Sequence, residues 1–182
     1  MASELLFYRD SGTAVAVLLE SGEPVERMAE RDPDVAGPGR MDVVLGRVGR
    51  AVPALAAVFV DIGSDHPAML PIRSAFPGEK PVLGAALPVQ VVRLRPDGKG
   101  PLVREAIRLP GAWAVFDSEG AHRSRTRLKA LPADEAAVLR EQDLARLGAQ
   151  WDAIRAEAAR PGRVPRPLAR FSDFPKAALL EI

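Results

Sequence analysis

The side chains of this chain that could do chemistry are mainly cations, and they fall in three runs. Arg93, Arg95, Lys99, Arg104 and Arg108 face only Asp97 and Glu105, while Arg123, Arg125, Arg127 and Lys129 have no acid among them. Nearer the end, Arg160, Arg163, Arg166, Arg170 and Lys176 face only Asp173. Clustered cations attract phosphates, although solvated surface residues give the same pattern. With a net charge of +1, any affinity for a polyanion must come from distribution rather than total charge. Other chemistry is thinly supplied. The absence of cysteine removes disulfides, zinc ribbons and thiol nucleophiles, and the two histidines, His66 and His122, read as isolated surface residues. Asp134-Glu135 sits where a helix begins and complements its dipole, and Asp61 with Gly63 serves a turn. No catalytic residue and no metal ligand is expected.

These cations need a scaffold, and at 182 residues the chain can build one core or two small lobes. Apolar residues at 47% and charged residues at 27% give a globular balance that excludes a wholly disordered chain. No apolar run is long enough for a membrane span, and Glu4, Arg9 and Asp10 stand where a leader would need apolar residues, so a cytoplasmic protein is expected. Residues 1–36 read as an antiparallel meander, with strands at Leu5–Tyr8, Ala14–Leu19 and Val25–Met28. Asp32 to Arg40, rich in Pro and Gly, reads as a linker. Five short β-rich stretches follow between residues 41 and 110: Val43–Val48, Ala57–Ile62, Ala68–Ile72, Leu87–Leu94 and Leu102–Ile107. This rhythm suits an OB-type or an SH3-like barrel. Ala133 to Ala159, with Pro132 before it and Pro161-Gly162 after it, reads as one long helix whose stripe is Leu139, Leu144, Leu147, Trp151 and Ile154. Residues 161–182 read as an irregular tail.

Gly46-Arg47-Val48, followed by Pro53 and then Ala56-Ala57-Val58-Phe59-Val60-Asp61-Ile62-Gly63, resembles the S1 domain that opens ribonucleases of the E/G family. There a G-[KR]-[VI] strand leads into a P-x-x-x-A-A-F-V-D-[IY]-G strand and turn. Met69-Leu70-Pro71-Ile72 fits the F-L-P-[LI] strand after it, and Gly98-Lys99-Gly100, Leu109-Pro110-Gly111 and Val115-Phe116 fit the close of the domain. Leu5 to Arg31 and Trp151-Asp152-Ala153-Ile154 resemble the parts of that family's ribonuclease H-like subdomain that flank the barrel. The resemblance implies an α+β fold. An S1/OB-type β-barrel (41–110) is inserted in a partial ribonuclease H-like lobe, made of the N-terminal β-meander and a C-terminal helix (133–160) packed on it.

The resemblance also implies single-stranded RNA as partner, with a role in RNA processing or turnover. Phe59 and Met69 would form the base platform, and Lys99, Arg47, Arg93 and Arg95 would contact phosphates. Strand alternation alone leaves Phe59 open between an outward stacking surface and the core. The chain departs from the pattern in several places. Met69 replaces an aromatic, and Val44-Leu45 replaces a Tyr-Lys pair, so binding should be weaker. Residues 111–132 correspond to a shortened 5′-monophosphate sensor in which Arg125, Arg127 and Lys129 form a phosphate-binding remnant. The family's Mg²⁺-holding catalytic subdomain would follow where this sequence stops, so no cofactor is expected and binding without cleavage is the leading expectation. An active Mg-dependent endoribonuclease completed by a partner subunit, and a protein-interaction adaptor, remain alternatives, and a protein partner or homo-oligomer is compatible with each.

Overall fold

A computed structural model describes residues 3–10, 13–31, 37–72, 81–95 and 99–171. The linker at 32–36, the turn glycine Gly98 and the tail from 172 onward, including Lys176, lie outside the described residues.

Three strands open the chain: β1 (Ser3–Asp10), β2 (Thr13–Glu20) and β3 (Glu23–Arg31), paired antiparallel in that order. The β2–β3 turn uses Ser21 (φ 54°) and Gly22 (φ 85°), two positive φ values of the kind a tight two-residue hairpin needs to match strand twist. This is the expected meander, with each strand longer than its apolar stretch.

The central sheet contains β4 (Val43–Val52), β5 (Ala57–Asp61), β6 (Ala68–Pro71), β7 (Ala86–Arg93) and β8 (Leu102–Arg104). It runs β4-β5-β6-β8-β7 and closes through a β4–β7 pairing, with β6 and β8 parallel and the other neighbours antiparallel. The result is a closed five-stranded, OB-like barrel within an α+β chain. Its interior is filled by Val44, Val60, Ile62, Ala68, Leu70, Val89, Val91 and Val103. Alternation along each strand sends these residues inward and their neighbours outward.

Past the barrel, β9 (Arg108–Pro110), β10 (Ala114–Asp117) and β11 (Arg123–Ser124) form a small antiparallel sheet, followed by a 3-10 turn at Thr126–Ala130. The helix α1 spans Ala133–Ala159, as its composition and flanking prolines predict. Among the described residues no helix is long and apolar enough to cross a membrane.

Two expectations are corrected. The tail is not wholly irregular, because Arg166–Ala169 forms β12, antiparallel to β4 at Val43–Leu45. β5 ends at Asp61 opposite Arg47, so the first residues of β4 would have an open edge on that side. β12 satisfies their backbone groups, and Pro167 is tolerated because β12 is itself an edge strand. The second correction concerns α1, which was expected on the N-terminal meander. Its buried Leu147 and Ile154 instead join Val43, Ile107 and Leu109 in a second core, with Phe116, Trp151, Leu168, Ala169 and Phe171 packed around it. Val43 and Val44 are both buried, one outward under α1 and one inward in the barrel, so β4 is covered on both faces.

Candidate nucleic-acid interface

The register decides which residues share the outer wall of the barrel. Val58 and Val60 pair with Leu70 and Ala68 and are buried, whereas Phe59 pairs with Met69 and both are half-buried. Phe59 therefore lies on the outer face, directly across from Met69, at the close spacing of a cross-strand pair. Met69 in turn neighbours Leu102 on β8, and Leu102 neighbours Arg93 on β7. These four residues form one lateral row over four strands, about 14 Å long at the usual interstrand spacing. In OB folds this wall, over the second and third strands, is where single strands lie.

Lys99 reaches the same end of the wall through the β7–β8 hairpin. The Met69 N–H donates to the Pro101 carbonyl at 2.7 Å, and Lys99 is exposed two residues before it. Gly100 must be glycine there, since a Cβ would run into the Pro67 carbonyl. Arg95, half-buried, leaves β7 on the other arm of that hairpin. Arg47 lies apart from the row. It faces Asp61 and Ala86 across its strand pairs, and its Nη1 donates to the Gly84 carbonyl at 3.1 Å. Asp61 makes the expected turn contact, accepting the Gly63 N–H at 3.0 Å, and Gly63 has φ 78°.

One neighbour of the Phe59–Met69 pair was not singled out from sequence. The β4–β5 register shifts between Val48 and Ala51, so Gly49 and Arg50 form a bulge opposite Phe59. A Cβ on Gly49 would stand 3.1 Å from the Phe59 carbonyl oxygen. Arg50 is exposed in that bulge, so the strand positions at the two ends of the row carry an arginine each. A glycine inside a strand pattern marks a bulge and is the signal that could have found Arg50.

Several cations from the sequence clusters are used inside the fold. Arg104 donates from Nε and Nη2 to the fully buried Gln90 Oε1, at 3.1 and 2.6 Å. Gln90 also accepts the Arg108 N–H and donates to the Met41 and Arg108 carbonyls, so every polar group of its amide is satisfied. Burial, then the nearby charge of Arg108, lowers the Arg104 guanidinium from its ordinary value, with Asp117 opposing them. Arg108 pairs with buried Asp117 at 2.8 Å. Burial by itself would raise the Asp117 carboxyl, but the Arg108 and Glu119 hydrogen bonds and the charges of Arg108 and Arg104 hold it below the usual carboxylate range. Arg166 donates to the Glu157 and Arg160 carbonyls at 2.8 and 2.7 Å and closes the C-terminal end of α1.

Between residues 111 and 132, Arg125 Nε donates to the Gly111 carbonyl at 3.3 Å, and the Arg127 guanidinium lies 5.4 Å from the centroid of the Trp113 ring. Lys129 is exposed at the end of the 3-10 turn. His122 is not the isolated surface residue expected from sequence. Its ring stacks on Phe116 at 4.8 Å, and its Nδ1 accepts the Asp117 N–H. Among the described residues no group of three or more His, Asp or Glu is placed to hold a metal ion. Compared with known proteins, the chain matches no family model and no curated sequence.

Proposed function

We propose that the chain binds single-stranded RNA across the β5–β6–β8 wall without cleaving it, as a cytoplasmic ribonuclease E/G-like protein of RNA processing or turnover. The observation that carries this reading is the row Phe59, Met69, Leu102 and Arg93, with exposed Arg50 and Lys99 beside it. An outward aromatic offers a face for a base, the thioether adds contact area, and the cations follow phosphates. Arg95 extends the cationic side of the row. Arg47 contributes only by leaving Gly84, so it ranks below the others. In the same reading β1–β3 represents the strand part of a ribonuclease H-like lobe.

The test is fluorescence anisotropy of a labelled oligouridylate as a function of salt. Phe59→Ala should weaken binding by about 5- to 150-fold, the usual range for one lost base stack. Lys99→Ala should reduce the log-log salt slope by about 0.7, because one fewer counterion is released. Two folded variants that bind as the parent does would remove this wall from consideration.

A further inference from the structure

The cations of the β9–β11 unit are distributed in a way the barrel reading does not use. Arg125 is tied to Gly111, and Arg140 Nε donates to Ser124 Oγ at 3.1 Å. Arg123, Arg127 and Lys129 are exposed, and among the described residues none of them has a carboxylate partner. Arg127 instead lies over Trp113. The backbone holding that indole is fixed at both ends: the Trp113 N–H donates to Asp143 at 2.7 Å, and its carbonyl accepts the Arg125 N–H at 2.8 Å. A half-buried indole whose backbone is held by these hydrogen bonds, with an exposed guanidinium against it and the exposed cations Arg123 and Lys129 in the same unit, suits a base between phosphates.

Resting on the RNA reading above, we propose that Trp113 and Arg127 form a second stacking contact for single-stranded RNA, with Arg123 and Lys129 on the flanking phosphates. The strand then has two separate footholds, one on the barrel wall and one on the β9–β11 unit. Short RNA engages the barrel alone. Longer RNA gains the second contact as an intramolecular step, which raises affinity without any change at the barrel.

Two measurements on the full chain test this. Trp151→Phe leaves Trp113 as the only tryptophan, and its fluorescence should change on addition of an oligouridylate of about 20 nucleotides, with the midpoint given by anisotropy. If that variant does not fold, the parent labelled with fluorotryptophan gives the same readout by fluorine NMR, with the Trp113 signal assigned as the one shifted by Arg127→Gln. The triple variant Arg123→Gln, Arg127→Gln, Lys129→Gln should lower the salt slope for this RNA by about 1.4, at roughly 0.7 for each of the phosphate contacts of Arg123 and Lys129. It should leave binding of an oligomer of about 5 nucleotides, near the lower site size of one OB fold, unchanged.

A silent Trp113 overturns the stacking contact, even if the triple variant binds less tightly. Unchanged long-RNA binding by the triple variant, with Phe59→Ala still weakening it, overturns the second foothold and leaves the barrel reading standing. Absence of RNA binding even at low salt overturns both.

Discussion

The Asp143 carboxylate, 6% exposed within α1, accepts the backbone N–H groups of Trp113 and Ala114 at 2.7 and 2.8 Å, and its other oxygen accepts Arg146 Nη2 at 2.8 Å. This one side chain joins the helix to the start of β10. Gly111 leaves it room, since a Cβ there would collide with the carboxylate. Asp143→Ala should therefore destabilise the fold by about 3 kcal/mol, because two backbone donors lose a charged acceptor. Asp143→Asn, which keeps an oxygen for those donors, should cost less. Urea unfolding of the three proteins checks the order.

Acid should unfold the protein through the same residue and through Asp117. For Asp143, burial by itself raises the carboxyl, but the Arg146 hydrogen bond, the two backbone N–H bonds and the Arg146 charge bring it below the ordinary range. Asp117 is lowered as well. A carboxyl depressed in the folded state contributes stability that is present above its unfolded pKa, about 3.9, and is lost as pH falls through the folded value. Stability should thus decline below about pH 4. The decline should be shallower in Asp117→Asn and Asp143→Asn than in the parent, as measured by unfolding free energy against pH.

Trp151 is packed against the core shared by Val43, Leu109, Leu147 and Ile154. Truncating a large aromatic in such a position costs roughly 3 kcal/mol, so Trp151→Ala should melt well below the parent. A truncation of the chain that removes only β1–β3 should leave this loss nearly unchanged, because the cluster Trp151 packs against, Val43, Ile107, Leu109, Leu147 and Ile154, lies in β4, β9, α1 and the segment before β9. Thermal melts of the two variants, alone and combined, measure the coupling.

Met69 occupies the row position beside Phe59, where a flat ring would extend the aromatic surface. Under the RNA reading, Met69→Phe should tighten binding of single-stranded RNA by about 5-fold or more, a gain of at least one base stack at its lower limit. The residue points outward, so the melting temperature should change little. Anisotropy titration at fixed salt provides the check.

Much of the local structure was legible in the sequence. The α1 boundaries follow from Pro132 and the Pro161-Gly162 stop, and the barrel strands follow from short β-rich runs between turn residues. Alternation also made Phe59 and Val60 point to opposite faces, but it could not say which face was the interior. That choice depends on closure: only when β4 pairs with both β5 and β7 does one side of β5 become the barrel core. The tertiary structure likewise decided which cations remain available. Arg104, Arg108 and Arg166 read like their neighbours along the chain, yet Gln90, Asp117 and the α1 carbonyls engage them from distant or separate elements. Local sequence sets the period of burial because side-chain direction is a backbone property. The identity of the covering surface is set by contacts between segments far apart in sequence, so α1 meets β9, β10 and β12 and the outer Phe59–Met69 row acquires its place beside Arg93 only in the folded chain.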